Sequence, residues 1–162
     1  MSNDEGKSVR TVDERGEPVK LGEYNGMEIY PMPMFATIAT PDVRSLAQWY
    51  VQVLGFKAVF EAPAIGGQPV VVHLRRKKYQ DILIVPGRPG GAGASASAGG
   101  MTLSFNADDV DALAAHARSA AEKEGGRIED PSNTRWNTRD LRVTDPAGNR
   151  LVFTAHNENA DP

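Results

Sequence analysis

The sequence contains no cysteine, few histidines and no long apolar run. The absence of cysteine excludes disulfide bonds, thiolate catalysis and cysteine-based zinc sites. No apolar stretch approaches the ~18–20 residues that are needed to cross a membrane. The amino-terminal segment MSNDEGKSVRTVDERGEP is polar, so we expect no signal peptide. With 40% hydrophobic and 24% charged residues, the composition is ordinary, and we expect a soluble, cytoplasmic protein.

The charge of the chain also excludes some partners. The net charge of -3 and the pI near 5.6 give no reason to expect nucleic acid as a partner. The one basic run, Arg75–Lys78, is short and has no interleaved aromatic residues, so we interpret it as a solvated turn. No phosphate loop, dinucleotide-binding glycine motif or Ser-His-Asp spacing is present. We therefore expect no nucleic-acid partner, no membrane partner and no cofactor.

Two segments of the chain repeat the order strand, helix, strand, strand, strand. In each copy an aspartate precedes the helical pattern and a glycine follows it, Asp42 and Gly55 in the first and Asp109 and Gly125 in the second. Hydrophobic residues recur at helical spacing between them. The predicted domains are an N-terminal arm at 1–33 with a hairpin at Asn25-Gly26, a first module at 34–86, a Gly/Ala/Ser linker at 87–100, a second module at 101–156 and a tail at 157–162.

The repeat, the opening segment TPDVRSLAQWYVQVLGF and the closing segment DPAGNRLVF resemble the vicinal oxygen chelate superfamily. That superfamily includes glyoxalase I, extradiol dioxygenases, fosfomycin-resistance enzymes and bleomycin-resistance binding proteins. The similarity covers roughly residues 34–156. It implies an α+β fold in which paired βαβββ modules form a curved, partly open mixed β-sheet with a central cleft and helices outside. It also implies a homodimer, because relatives often assemble the cleft across a two-fold axis.

Enzymes of the superfamily bind a metal through side chains on strands that face the cleft. The matching positions in this sequence are Phe35, Met101, Val152 and either Leu83 or Ile84. Shifting the alignment by one residue brings in Ala36, Thr102, Leu151 or Phe153. None of these side chains is the carboxylate or imidazole that protein-bound divalent metals prefer, and an apolar ring disfavours a desolvated cation. The resemblance is therefore to the metal-free, bleomycin-resistance-like branch, and we expect no metal site.

Two further residues are candidates for ligand contact. His73, in VVVHLRR, shares a strand face with Val71 and Arg75, and it could donate to a ligand or act as a base. Trp136 lies in a polar loop, where an indole either stacks on a ligand or packs as an anchor for the loop. The plainer interpretations are a partly exposed strand histidine and a packing tryptophan, and the apolar strand positions could simply fill a collapsed core.

The leading hypothesis is a metal-independent binding protein that holds an apolar or aromatic small molecule, with antibiotic sequestration as one form of this function. It assigns no catalytic residue. The candidate ligand-binding residues are Phe35, His73, Arg75, Met101, Trp136 and Val152. The second hypothesis is a lyase, isomerase or dioxygenase, either with a metal bound elsewhere or with acid–base chemistry by His73 and Asp81 or Glu61. A third is a partner-binding dimer without a ligand.

Overall fold

The computed structural model describes residues 23–24, 27–28, 30–62, 64–65, 68–69, 71–87 and 101–157. Most of the predicted N-terminal arm, nearly all of the predicted linker and the end of the tail lie outside the described residues. The helices are α1 (Val43–Leu54) and α2 (Val110–Glu124). The strands are β1 (Glu23–Tyr24), β2 (Met27–Glu28), β3 (Ala36–Thr40), β4 (Lys57–Glu61), β5 (Ala64–Ile65), β6 (Gln68–Pro69), β7 (Val72–Arg75), β8 (Asp81–Pro86), β9 (Thr102–Asn106), β10 (Arg127–Ile128), β11 (Ser132–Asn133), β12 (Thr138–Thr144) and β13 (Arg150–His156).

The described residues divide into two units, one before Pro33 and one from Pro33 onward. In the first unit, β1 pairs antiparallel with β2, on either side of Asn25-Gly26. In the second unit, the strand order is β3-β8-β7-β4 in the first sheet and β9-β13-β12-β10 in the second, where β11 also pairs with β12. In both sheets the first strand of the module is parallel to the last, and the other pairs are antiparallel. The repeated topology confirms the predicted α+β fold with paired βαβββ modules.

Helix α1 is capped and deeply buried along one face. The Asp42 carboxylate accepts hydrogen bonds from the backbone N–H and the hydroxyl of Ser45, at 3.0 and 2.7 Å, which satisfies one of the free N–H groups of the first turn. Gly55 ends the helix with φ = 70°, a conformation that glycine adopts without steric cost. Trp49 and Tyr50, the two aromatic residues of α1, are both buried.

Helix α2 has a narrower buried face made of small residues. Asp109 caps it by accepting from the backbone N–H groups of the first turn. Within the helix only three residues are buried, Val110, Ala114 and Ala117. Small side chains allow α2 to lie close to α1, and His116 Nε2 donates a hydrogen bond to the carbonyl of Gln52 at 2.9 Å. The second helix therefore packs against the first as well as against its own sheet.

The two modules share one hydrophobic core. Its aromatic side chains form a continuous series of ring contacts with centroid distances of 5.3–5.7 Å, mostly edge to face. In order, the rings are Trp49, Tyr50, Phe56, Phe105 and Phe153. The first three belong to the first module and the last two to the second, so the helix-side faces of both sheets meet in this core. The opposite face of each sheet, called the outer face below, points away from it.

Two hydrogen bonds from buried aromatic side chains join α1 to the second module. Trp49 Nε1 donates to the carbonyl of Gly125 at 2.9 Å, and the Tyr50 hydroxyl donates to Asp145 Oδ2 at 2.9 Å. Gly126, with φ = 88°, lies so close to the Trp49 ring that a Cβ there would be 2.7 Å from it. The close contact requires a glycine at position 126, and the hydrogen bonds require polar tips on the two core aromatic residues.

The DPAGN turn before β13 is organised around the same aspartate. Asp145 Oδ1 accepts from the backbone N–H groups of Ala147 and Asn149, at 2.9 and 2.8 Å. Its Oδ2 accepts from Asn149 Nδ2 at 2.8 Å and from Tyr50. The carboxylate therefore has a donor at each oxygen, which compensates for its burial. This motif links the modules.

The basic run Arg75–Lys78 was predicted to be a solvated turn. That prediction is wrong for Arg75 and Arg76. Arg75 is buried. The Arg76 guanidinium lies over the Phe153 ring, 5.1 Å from its centroid, which is a cation–π contact with the second module. Lys77 forms an ion pair with Asp108, next to the start of α2. The run docks the first module onto the second.

We predict that Tyr50→Phe lowers the free energy of unfolding by about 1–3 kcal/mol, because Asp145 Oδ2 loses a buried hydrogen-bond donor. Burial, and then the negative Asp145 carboxylate, raise the pKa of Tyr50 well above its ordinary value of 10.0. The folded state therefore holds the phenol proton more tightly than the unfolded state does. This stabilisation is fully present below the unfolded pKa and is lost as the pH rises above about 10.

Urea unfolding at neutral pH and at about pH 10–11 measures both effects. The wild-type protein should lose more stability than Tyr50→Phe on going to alkaline pH. Tyr79→Phe is the matched control, since Tyr79 is 56% exposed. Equal stability of the Tyr50 and Tyr79 variants at neutral pH would contradict the assigned role of the buried hydroxyl.

Candidate functional site

The outer face of the first sheet combines apolar and ionisable side chains. Cross-strand register places Thr37, Leu83, His73 and Phe60 in one row across β3, β8, β7 and β4. The next row contains Asp81, Arg75 and Lys57. Leu83 is partly exposed, whereas Ile84 is fully buried on the helix side, so Leu83 is the outer-face member of the pair that the sequence left open.

Asp81 holds together the two polar candidates on this face. Its Oδ1 accepts hydrogen bonds from His73 Nε2 and from Arg75 Nε, both at 2.7 Å. The side chains of Asp81, Arg75 and His73 are 0%, 9% and 16% exposed, respectively. A buried carboxylate needs such partners, because an unpaired charge in a protein interior is strongly destabilising. Since the carboxylate only accepts, Nε2 of His73 donates, and in the neutral imidazole Nδ1 is then an acceptor.

Glu61, the other acid proposed as a partner of His73, lies on the opposite side of the sheet. It is the cross-strand partner of the buried Val72. Its carboxylate accepts from Arg44 of α1 at 3.1 Å. Of the two acids that the sequence allowed, the structure therefore brings Asp81 to His73.

The outer face of the second sheet is more polar than expected. Val152 is apolar, but its neighbours across β12 and β9 are Arg142 and Ser104. The adjacent row contains four polar residues, Arg127, Thr144, Arg150 and Thr102. The expected apolar ring is therefore not continuous here. The signal for the polar residues of β12 was present in the alternation of DLRVT, residues 140–144, where every second residue is polar.

The other predicted apolar residues are exposed. Phe35, directly before β3, is 46% exposed, and Met101, directly before β9, is 75% exposed. Trp136, in the turn between β11 and β12, is 70% exposed and stacks against Arg135, whose guanidinium lies 4.4 Å from the ring centroid. Within a single chain, Trp136 therefore does not pack as a buried anchor for its loop. The six candidate residues divide between the sheets, with His73 and Arg75 in contact with the same carboxylate.

The architecture of the two sheets defines the class to which the protein belongs. The two mixed, unclosed sheets with a helix in each module form the fold of glyoxalase and bleomycin-binding proteins. The family model of the Glyoxalase/Bleomycin resistance protein/Dioxygenase superfamily matches residues 33–153. The chain belongs to this superfamily, which confirms the resemblance found in its two motifs. A comparison with curated proteins finds no match.

Solved structures support the same fold. TioX from Micromonospora sp. ML1 is 24% identical with a TM-score of 0.58, covering 80% of this chain and 97% of that one. TnmS3, an antibiotic binding protein from Streptomyces sp. CB03234, is 23% identical with a TM-score of 0.59, covering 80% and 98%. A bleomycin-binding protein in complex with bleomycin is 20% identical with a TM-score of 0.59, covering 76% and 97%.

The residues at the superfamily's metal positions do not fit a metal. Phe35, Leu83 and Val152 have no donor atom in their side chains, and Met101 offers only a thioether. Thr102, adjacent to Met101, offers a hydroxyl, but its cross-strand partner is the cationic Arg150. Within the part of the chain that the structure describes, no three histidine, aspartate or glutamate side chains are grouped to hold a metal ion. Within the same residues, no helix is long and apolar enough to cross a membrane.

We predict that Asp81→Asn destabilises the fold by about 2–4 kcal/mol, because the buried Arg75 guanidinium loses its carboxylate. Asp130→Asn is the matched control. Its carboxylate is 94% exposed and pairs with Arg118, so its loss should cost less than about 1 kcal/mol. Urea unfolding of both variants tests the difference, and similar costs would show that the Asp81 cluster is not a buried ionic centre.

Proposed function

We propose that this protein binds a small molecule with an apolar or aromatic part on the outer faces of its sheets, without a metal, and that sequestration of an antibiotic is its biological use. The observation that carries the proposal is the exposure of three large apolar side chains, Phe35, Met101 and Trp136. Exposed large apolar side chains that form one patch are typical of ligand and partner surfaces, and the proposal is that the assembled protein brings these three side chains to one cleft. The fold is also that of a bleomycin-binding protein and of the antibiotic binding protein TnmS3.

The candidate residues have different roles in this proposal. Phe35, Met101, Val152 and Trp136 form the apolar contacts, and the stacked Arg135 beside Trp136 extends a flat surface for an aromatic group. His73 presents Nδ1 to the ligand as the polar contact. Arg75 is too buried to be the main contact. Its role is to hold Asp81, which in turn orients His73.

The protein is proposed to act as a homodimer. Among the described residues, the two sheets of one chain meet through their helix-side faces in a common core. Their outer faces consequently point away from that core. A cleft with one wall from each kind of sheet is completed when a second copy places its outer face opposite the first. Sedimentation or light scattering measures the oligomeric state directly.

We predict that Phe35→Ala and Trp136→Ala each weaken ligand affinity about tenfold or more, because each removes an aromatic contact from the site. Phe35 is 46% exposed and Trp136 is 70% exposed, so each variant should lose no more than about 1–2 kcal/mol of stability and should stay folded. The ligand is found by a thermal-shift screen of aromatic natural products and antibiotics, run with and without a chelator. Affinities are then measured by calorimetry.

Val51→Ala is the matched control for both variants. Val51 is an exposed apolar residue, 39% exposed, on α1, which covers the helix-side face of the sheet. It should bind the ligand as the wild type does. Affinities of the Phe35 and Trp136 variants equal to that of the control, or binding that disappears with the chelator, would overturn the proposed site or its metal independence.

A second candidate function is metal-free acid–base catalysis, and the 2.7 Å contact between His73 Nε2 and Asp81 Oδ1 favours it. An imidazole oriented by a buried carboxylate is a typical general base. If the protein is a lyase or isomerase, the bound molecule is converted, and His73→Gln abolishes turnover while retaining affinity. Mass spectrometry of the ligand after incubation detects conversion, and metal analysis after dialysis tests for a metal-dependent enzyme. An unchanged ligand indicates a binding protein.

A further inference from the structure

A groove on the outer face of the second sheet is lined by three arginines. Its volume is about 330 Å³. Its lining side chains include Thr102, Arg127, Glu129, Arg142, Arg150 and Val152. The groove therefore contains Val152, the position where superfamily enzymes carry a metal-binding carboxylate. In this protein the surroundings of that position are cationic.

The strand register places the three guanidinium groups around one small volume. Arg127 and Arg150 are both cross-strand partners of Thr144, one on each side of β12. Arg142 lies two residues before Thr144 on the same face, opposite Val152. Neighbouring strands are ~4.8 Å apart and same-face residues along a strand about 6.7 Å apart, so arginine side chains from these positions reach a common point.

The local acids do not neutralise the three arginines. Glu129 is the one acid that lines the groove, and it is 3.7 Å from Arg127. Asp140 lies on the same outer face but does not line the groove, and its Oδ1 accepts from the Thr138 and Thr154 hydroxyls at 3.0 and 2.8 Å. The groove therefore has two more positive than negative charges, although the whole chain has a net charge of -3.

The arginines also retain hydrogen-bonding capacity. One nitrogen of Arg142 donates to the Ser132 hydroxyl at 3.2 Å. For Arg150, the described residues provide no hydrogen bond or ion pair to the guanidinium. Each guanidinium has five N–H donors in a planar fork that suits an oxyanion. Like charges on neighbouring strands repel each other. An anion bound between the guanidinium groups offsets this repulsion by attracting each of them.

We infer that this groove binds the oxyanion group, a carboxylate or phosphate, of a small-molecule ligand. The inference rests on the proposed function and adds to it a ligand class: an aromatic or apolar molecule with an anionic end. Arg142 and Arg150 contact the oxyanion, with the Thr102 hydroxyl as a further donor. Arg127, already close to Glu129, contributes mainly charge. Val152 is the apolar floor between them.

The test uses three probes: 1-naphthoate, its neutral amide 1-naphthamide, and inorganic phosphate. Amide chemical shifts in nuclear magnetic resonance titrations locate each binding event, and calorimetry gives affinities. Naphthoate and phosphate should shift the amides of Arg142 and Arg150, and naphthamide should leave these two amides unchanged even where it shifts Val152 as an apolar contact. Naphthoate should bind about tenfold more tightly than naphthamide, as expected for hydrogen bonds to a charged group.

The double variant Arg142→Gln/Arg150→Gln should lose the preference for naphthoate and the phosphate-induced shifts. Arg44→Gln is the matched control, since Arg44 is an exposed arginine on α1. It removes a positive charge away from the groove and should leave both affinities unchanged. The double variant should remain folded, since the side chains of Arg142 and Arg150 are exposed, and thermal unfolding checks this.

The outcomes separate this inference from the proposed function. If both aromatic probes bind near Phe35 and His73 with equal affinity and phosphate causes no saturable shift in the groove, the inference is overturned and the proposed function stands. If phosphate binds the groove and neither aromatic probe binds, anion binding stands and the proposed function fails. Wild-type affinity for phosphate in the double variant also overturns the inference.

Discussion

The structure depends on the contact between the aromatic face of α1, in the first module, and the second module. Trp49 and Tyr50 are buried, yet each places a polar tip on the second module, at Gly125 and at Asp145. A chain of ring contacts continues from them into the second sheet. Because the apolar area is shared, neither module buries its helix-side face alone, and the two hydrogen bonds join the modules beside this core. The DPAGN turn, which carries the superfamily resemblance, is in this chain a structural joint.

The orientation of the outer faces follows from this joint. With both helix-side faces committed to the core, the remaining face of each sheet is left for ligands or for a second copy. The two faces differ in chemistry. The first has a buried Asp81 that fixes His73 and Arg75 beside apolar residues. The second has hydroxyls and guanidinium groups around Val152. A ligand that uses both faces has to offer an apolar surface to one and an acceptor to the other.

The charge of the side chains around the strand positions that face the cleft distinguishes this protein from metal-binding members of the superfamily. A metal site in this fold needs carboxylates and imidazoles at the strand positions that face the cleft. Here those positions are apolar, and Arg142 and Arg150 flank one of them. Two guanidinium groups beside a site repel a divalent cation and attract an anion. The same scaffold thus has an electrostatic preference of the opposite sign, with changes only in the side chains that line the strands.

Three features could be predicted from the sequence: the repeat, both helices with their Asp and Gly boundaries, and the lack of metal-binding side chains at Phe35 and Val152. They depend only on local periodicity, helix caps and residue type. The sequence also contained the polar alternation around Arg142. Three facts emerge only from the folded chain: Asp81 rather than Glu61 contacts His73, Arg75 is buried while Arg76 contacts Phe153, and three arginines line one groove. Those facts depend on strand register and on contacts between residues far apart in the chain, which no local pattern specifies.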